Sequence, residues 1–346
     1  MKSTRVIPVL CAGAVLGLSV VACGSSNNKD KAAAPTATAK AATTQESAAQ
    51  ASDIKIAFSA PAADHGWIKA VSDDAKAEAK ALGINMTVND SATTTADQAD
   101  QITTMIQSKP DALVVLPNEG GPLTPIAQKA MDQGIPVINV DRAFTDPSAQ
   151  RVLIAGDNYG IGVQAGNYFA DQLKCKGNVV EIQGIAGISV TEQRSKGFAD
   201  QIKKRCNGGI KIVAQQPADF VPDKGLSVME NILQKQKHID AVYTHDDDMG
   251  EGVAAAIQNA GRDKEMWMTG AGGSKKVMEE IKKGGLWRAT FIYNPSMAAD
   301  GVYLASLLAQ NKGLPGFQEP DIPSQIIMQA ATVTKDNVDQ YMNLGF

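Results

Sequence analysis

From residue 54 onward the chain keeps switching between two apolar rhythms. Ile54-Lys55-Ile56-Ala57-Phe58 is a short run of strand type, and Trp67, Ile68, Val71, Ala75, Ala79 and Leu82 recur at helical spacing over 67–82. The alternation predicts strands near 84–88, 112–116 and 135–140, with helices over 96–107 and 124–133 between them. It continues as strand 152–155, helix 160–174, strand 178–182, helix 191–205, strand 210–214, helix 223–235, strand 240–244 and helix 250–260. Strand 266–270, helix 274–283, strand 286–292, helix 296–310 and a last strand near 325–331 complete the series. Short, apolar strands separated by amphipathic helices imply parallel sheets covered on both faces. About a dozen strands are more than one open sheet comfortably holds, so the pattern predicts an α/β fold of two doubly wound parallel-sheet lobes.

The stretch before residue 54 follows neither rhythm. Lys2 and Arg5 make a short positive start, Val6 to Val21 form an apolar run, and Val20-Val21-Ala22 leads into Cys23. A run this short, interrupted by Pro8 and ending in small residues, reads as a secretory signal peptide over 1–22 rather than a spanning helix. Val-Val-Ala-Cys resembles a bacterial lipobox, which implies cleavage before Cys23 and a diacylglycerol on its sulfur. Residues 24–52 are rich in Ala, Thr, Ser, Asn, Gln and Lys without apolar period. With Cys23 they make a lipidated flexible tether over 23–52, with a reach of about 30 Å. The folded part is therefore expected just outside a cell membrane, held there by lipid. Cys11 leaves with the leader, so Cys175 and Cys206 remain. In an oxidising exterior they suggest one disulfide; the alternative is two unrelated thiols.

The formal charge of −4 becomes more negative still once Lys2 and Arg5 leave, which gives no electrostatic reason to bind nucleic acid. The sequence holds no phosphate loop, no Gly-x-Gly-x-x-Gly after the first strand and no Gly-x-Ser-x-Gly elbow. Its histidines are His65, His238 and His245. The run His245-Asp246-Asp247-Asp248 lies on one turn and lacks calcium-loop spacing, so Asp247 or Asp248 is expected to cap the next helix rather than hold a metal. Nothing requires an enzyme, a metal or a cofactor.

In doubly wound sheets, ligands sit outside the carboxyl ends of the strands. Polar clusters stand at those places: Ser59 to Trp67, Pro117 to Gly121, Asp141-Arg142, Gly184 to Arg194, Phe220 and His245 to Asp248. Several stretches are specific enough to name a family. They are Pro136-Val137-Ile138-Asn139-Val140-Asp141-Arg142, Gly156-Asp157-Asn158, Glu181 to Gly187, Gln193 to Phe198 and Gln216 to Phe220. Through them the chain, from residue 53 to its end, resembles the ribose-type branch of the periplasmic binding proteins, the sugar-binding proteins of ABC importers. Asp64-His65-Gly66-Trp67 together with His245-Asp246-Asp247-Asp248 is similar to a subgroup of actinobacterial lipoproteins in that branch.

The resemblance implies a three-strand hinge, with crossings near Gly156-Asp157, Tyr293-Asn294 and Asp321-Ile322. The N-terminal lobe would then be 53–156 plus 293–321, and the C-terminal lobe 157–292 plus 322–346. It also implies a binding role for Asp141 and Arg142 from one lobe and Arg194 from the other, which would supply charge-assisted hydrogen bonds to hydroxyls. Trp67 and Phe220 stand at the positions of the family's stacking aromatics. Asp246 replaces an asparagine of ribose binders, Gly272 an aspartate and Tyr293 a glutamine. The acidic acceptor thus moves from one strand end to its neighbour, which points away from ribose itself. Ser59, Asp64, His65 and Asn118 complete the candidate set. The implied function is capture of a small neutral sugar or polyol, a pentose or short alditol above others, by a monomer that delivers it to an ABC transporter permease. Cyclic and acyclic ligands both stay open, and so does a sensor role for a signalling molecule or a chemoreceptor.

Overall fold

The computed structural model describes residues 53–318 and 321–346. The leader, Cys23 and the tether expected before residue 53 lie outside the described residues. Among the described residues no helix is long and apolar enough to cross a membrane.

The chain opens with β1 (Lys55–Pro61), α1 (Gly66–Leu82), β2 (Asn85–Ala92), α2 (Thr95–Gln107), β3 (Ala112–Val115), α3 (Gly120–Asp132), β4 (Val137–Val140) and β5 (Val152–Gly156). Local sequence dictates these elements. In α1, Trp67, Ile68, Val71, Ala75 and Ala79 form one buried stripe, and Gly83 ends the helix in the left-handed conformation at φ 69°. Every residue of β3 and β4 is buried, as expected for central strands covered on both faces.

The chain continues with α4 (Asn158–Gln172), β6 (Gly177–Gln183), α5 (Ser189–Cys206), β7 (Ile210–Pro217), α6 (Pro222–Lys235), β8 (Ala241–Thr244), α7 (Asp247–Asn259), β9 (Trp267–Ala271), α8 (Lys275–Lys283) and β10 (Trp287–Ile292). It closes with α9 (Met297–Ala309), β11 (Gln325–Met328), β12 (Ala331–Thr334) and α10 (Val338–Tyr341).

Two six-stranded sheets result. The first runs β11-β5-β4-β3-β1-β2 and is parallel throughout. The second runs β12-β10-β9-β8-β6-β7 and is parallel except for β12, which lies antiparallel to β10. Helix α9 returns to the first lobe, where it packs on α1 and over β3 and β4. Helix α4, which starts two residues after β5, packs on α5 in the second lobe.

The chain therefore passes between lobes after β5, after β10 and between β11 and β12. The third passage differs from the expected one at Asp321-Ile322. Gln325 to Met328 pair with Leu153 to Gly156, so this segment belongs to the first sheet, and the crossing falls at Gln329-Ala330. Near the far end of the α4–α5 pair, Cys175 and Cys206 have Cα atoms 4.9 Å apart and sulfurs at bonding distance.

Candidate functional site

Five strand ends converge on one cavity. His65 and Trp67 follow β1, Asp141 and Arg142 follow β4, Phe220 follows β7, Asp246 follows β8 and Tyr293 follows β10; Val190 and Arg194 join them from α5. The backbone at two of these ends is unusual. Asp141 sits at φ 62° and Phe220 at φ 66°, with Asp219 before it at φ 54°. A phenylalanine in the left-handed region is costly, and such strain persists where surrounding structure fixes it, typically at ligand sites.

Tyr293 ties the two lobes together. Its hydroxyl donates to Asp141 Oδ1 at 2.7 Å and accepts from Arg194 Nη2 at 3.0 Å. The ring lies over Gly156, where a Cβ would stand 2.2 Å from ring carbons, and Trp67 meets it edge-on with centroids 6.0 Å apart. Arg194 is held from every side: Nε donates to Asn158 Oδ1 at 2.9 Å, Nη1 to the His245 carbonyl, and the guanidinium carbon is 5.6 Å from the Tyr293 centroid. Arg142 donates to the Asn118 carbonyl at 2.8 Å and stands 5.8 Å from the Phe220 centroid. His65 faces the other side of the same region, its ring 6.0 Å from that of Phe220.

Burial decides the protonation of this cluster. It raises Asp141 against the opposing hydrogen bond from Tyr293 and the charges of Arg142 and Arg194. Burial likewise pushes Asp246 up to about 6, and Asp248 nearby adds to the shift. Beneath Arg194, His245 Nε2 and Glu181 Oε1 lie 2.9 Å apart with both side chains fully buried. Burial raises Glu181, but hydrogen bonds from His245, Ser195 and Gln215 outweigh it and hold the carboxyl below its usual value. His245 is pushed down by burial against the pull of Glu181. This buried network fixes the carbonyl to which Arg194 donates.

The profile of the periplasmic binding protein domain matches residues 56–313, about three quarters of the sequence. The chain belongs to this family. As a periplasmic binding protein it is similar to the ribose import binding protein of Bacillus subtilis (strain 168), 32% identical over 205 residues that make up 59% of this chain and 65% of that one. It is also similar to the galactofuranose-binding protein of Escherichia coli (strain K12), 30% identical over 319 residues, 87% of this chain and 95% of that one. A solved structure from Mycobacterium smegmatis in complex with β-D-fucofuranose superimposes with a TM-score of 0.77 at 26% identity, covering 84% of this chain and 94% of that one.

Within the binding protein, eight of the candidate residues meet at the cavity: His65, Trp67, Asp141, Arg142, Arg194, Phe220, Asp246 and Tyr293. Four do not line it. Ser59 and Asn118 are both taken by the helix α2: Gln98 Nε2 donates to Ser59 Oγ at 3.2 Å, and the Asn118 side chain donates through Nδ2 to Thr95 Oγ1 at 3.0 Å. Asp64 is exposed and binds His65 Nδ1 at 2.5 Å. Gly272 lies behind Asp246 and Phe346. Two residues escaped the sequence reading. Val190 lines the cavity but looks like any core residue at a helix start. Asn158 fixes Arg194, and its place in a family stretch was the only signal. The expected capping also changes. Asp246 caps α7 by accepting from Met249 N at 2.8 Å, because its backbone is still extended (φ −155°, ψ 148°). Asp247 instead accepts from Gly273 N, Ser274 N and Thr290 Oγ1, which pins the β9–α8 loop.

Proposed function

We propose that the chain captures a small neutral sugar or polyol between its lobes and delivers it to the permease of an ABC importer. The observation that carries this reading is the Tyr293 hydroxyl held between Asp141 and Arg194. A carboxylate acceptor from one lobe and a guanidinium donor from the other converge on one hydroxyl. Any sugar hydroxyl, which both donates and accepts, can take that place. Trp67 and Phe220 supply apolar surface from opposite lobes for the C–H face of the ligand. Arg142 and Asp246 add a second donor and a second acceptor, with Ser59, Asp64, Asn118 and Gly272 as supports one step removed.

In the closed arrangement described, the cavity is about 20 Å³, room for about one water. A ligand therefore enters by parting the lobes and displacing Tyr293, and closes them again around itself. Among such ligands a pentose or short alditol is the preferred reading. Two of the three relatives above carry a furanose in their names, which supports a five-membered ring among the cyclic candidates. The import role of the ribose relative supports delivery over sensing. The reading is capture without catalysis, in line with a family of binding proteins.

The same proposal places the protein outside the cell membrane as a monomer: a signal peptide over 1–22, lipid on Cys23, a tether to residue 52, and a Cys175–Cys206 disulfide formed after export. Mass spectrometry of the mature protein tests the lipid and the disulfide together.

Calorimetric titration with pentoses, hexoses, furanosides and alditols tests the capture. One member should bind one-to-one at about micromolar or tighter, near −8 kcal/mol. Asp141→Ala and Arg194→Ala should each weaken it by about 10- to 100-fold, the loss of a charge-assisted hydrogen bond. Silence across the whole panel from a folded protein would sink the sugar reading.

A further inference from the structure

We propose that Gly66, Asp248 and Phe346 form a clasp that sets how firmly the lobes close, and so sets ligand affinity without touching the ligand. The first part stands on geometry alone; the effect on affinity rests on the function proposed above.

The start of a helix leaves its first N–H groups without partners in the helix. At α1 the N-cap residue, His65, is extended (φ −151°, ψ 166°) and makes no side-chain cap. The missing acceptor comes from the other lobe. Asp248, the second residue of α7, accepts from Gly66 N through Oδ2 at 2.9 Å. A carboxylate at a helix N-terminus is also favoured by the partial positive charge there. A helix of the first lobe is thus capped by a side chain of the second, and the cap exists only while the lobes are together.

Phe346 closes the same point from another direction. Its carbonyl accepts from Lys275 N at the start of α8 (3.0 Å), and its ring lies against Gly66. A Cβ on Gly66 would stand 2.9 Å from Phe346 Cε2 and 3.2 Å from Asp248 Oδ2. A methyl there would press on the ends of both side chains, so the glycine lets Asp248 and Phe346 seat at this distance. None of the three residues lines the cavity, yet Gly66 sits between His65 and Trp67, which both do. Seating the clasp therefore positions those two rings.

A second cross-lobe hydrogen bond offers an independent reporter. Ala143 N, after β4, donates to Ser189 Oγ at the start of α5 (3.1 Å). If Asp248 acts by holding the lobes shut, its loss must loosen this distant contact too. A purely local cap would leave it alone. Affinity by itself would not separate the two, because Asp248 also stands near Asp246.

The test is amide hydrogen exchange at Ala143 in the full, unliganded chain. Asp248→Ala should raise the rate about 3- to 10-fold, the effect expected of a lost helix cap felt through opening. Asp248→Asn keeps an acceptor without the charge and should fall between parent and Asp248→Ala. In titrations with whichever panel sugar binds the parent, Asp248→Ala should weaken binding by a similar factor through faster dissociation. An Ala143 rate in Asp248→Ala equal to that of the parent overturns the clasp, even where sugar binding is intact. A silent sugar panel with a faster Ala143 rate overturns the proposed function and leaves the clasp standing.

Discussion

Asp246 shows how one side chain serves both fold and site. Its Oδ1 accepts from Met249 N and so starts α7, while the same carboxylate lines the cavity with a pKa pushed up to about 6 by burial. The consequence for pH has a definite sign. Between its ordinary value near 3.8 and about 6, the folded chain holds a proton that the unfolded chain releases. Asp246 therefore destabilises the fold progressively as pH rises through that window, and by its full amount above it. Asp246→Asn keeps the cap and removes the charge. Melting curves from pH 4 to 7 should show the variant gaining on the parent by roughly 1–3 kcal/mol as pH passes 6. A constant gap between the two across that range would remove Asp246 from this account. A ligand hydroxyl that donates to Asp246 favours the carboxylate, so sugar affinity should rise over the same interval. The residue-level reading of the sequence coincides with the cavity lining where a charged or aromatic residue stands within three residues of a strand's end, as at Asp141, Arg142, Phe220 and Asp246. It missed where a third side chain intervenes. Ser59 lies inside β1 and Asn118 follows β3, but Gln98 of α2 takes the Ser59 hydroxyl and Thr95 of the same helix takes the Asn118 side chain. Position along one segment carries no trace of that.

Among the elements, the α4–α5 pair is closely packed in a way that bears on the site. At Gly197 of α5 a Cβ would stand 2.2 Å from the Tyr159 carbonyl, and at Gly162 of α4 one would stand 2.2 Å from the Arg194 carbonyl. Both clashes are with backbone, which cannot turn aside. This approach brings Asn158, the first residue of α4, within reach of Arg194. Gly197→Ala should therefore cost at least 1–3 kcal/mol in denaturant unfolding, as overpacking does. It should also weaken sugar binding more than its stability loss explains, because Arg194 moves. The proposed Cys175–Cys206 disulfide would tie this pair at its other end. Replacing both by serine should cost about 2–4 kcal/mol with affinity unchanged, since the link is remote from the cavity. A larger effect on affinity than on stability would contradict that separation. Helices and strands were legible because their apolar spacing is strong, as in α1 and β3. The last strand was not. Residues 325–331 look like one continuous run, but Gln325–Met328 extends the first sheet and Ala331–Thr334 the second. Nothing in the pattern of a single strand tells which of two sheets will accept each half.

At the scale of the whole molecule, a site built from both lobes couples ligand binding to the joint stability of both. Saturating ligand at 100 times its Kd should add about 2.7 kcal/mol and raise the melting temperature of the two lobes together. A single lobe gaining stability in calorimetry, with the other unmoved, would place the ligand outside the cleft. The division into two doubly wound lobes was readable from the number and shortness of the strands, since about a dozen strands do not suit one open sheet. The positions of the crossings depended on tertiary pairing and were only partly readable. The order of the chain has a further consequence. The first sheet begins at Lys55, yet β11, which covers the outer edge of β5, is not supplied until Gln325–Met328. Helix α9, which covers β3 and β4, arrives almost as late, at Met297. A chain emerging amino end first must therefore bring out nearly its whole length before its first lobe can be sealed. Until then that lobe shows a bare strand edge and an uncovered apolar face. Such a chain stays easy to thread through a narrow export channel, and it needs protection from self-association until its last few dozen residues are released.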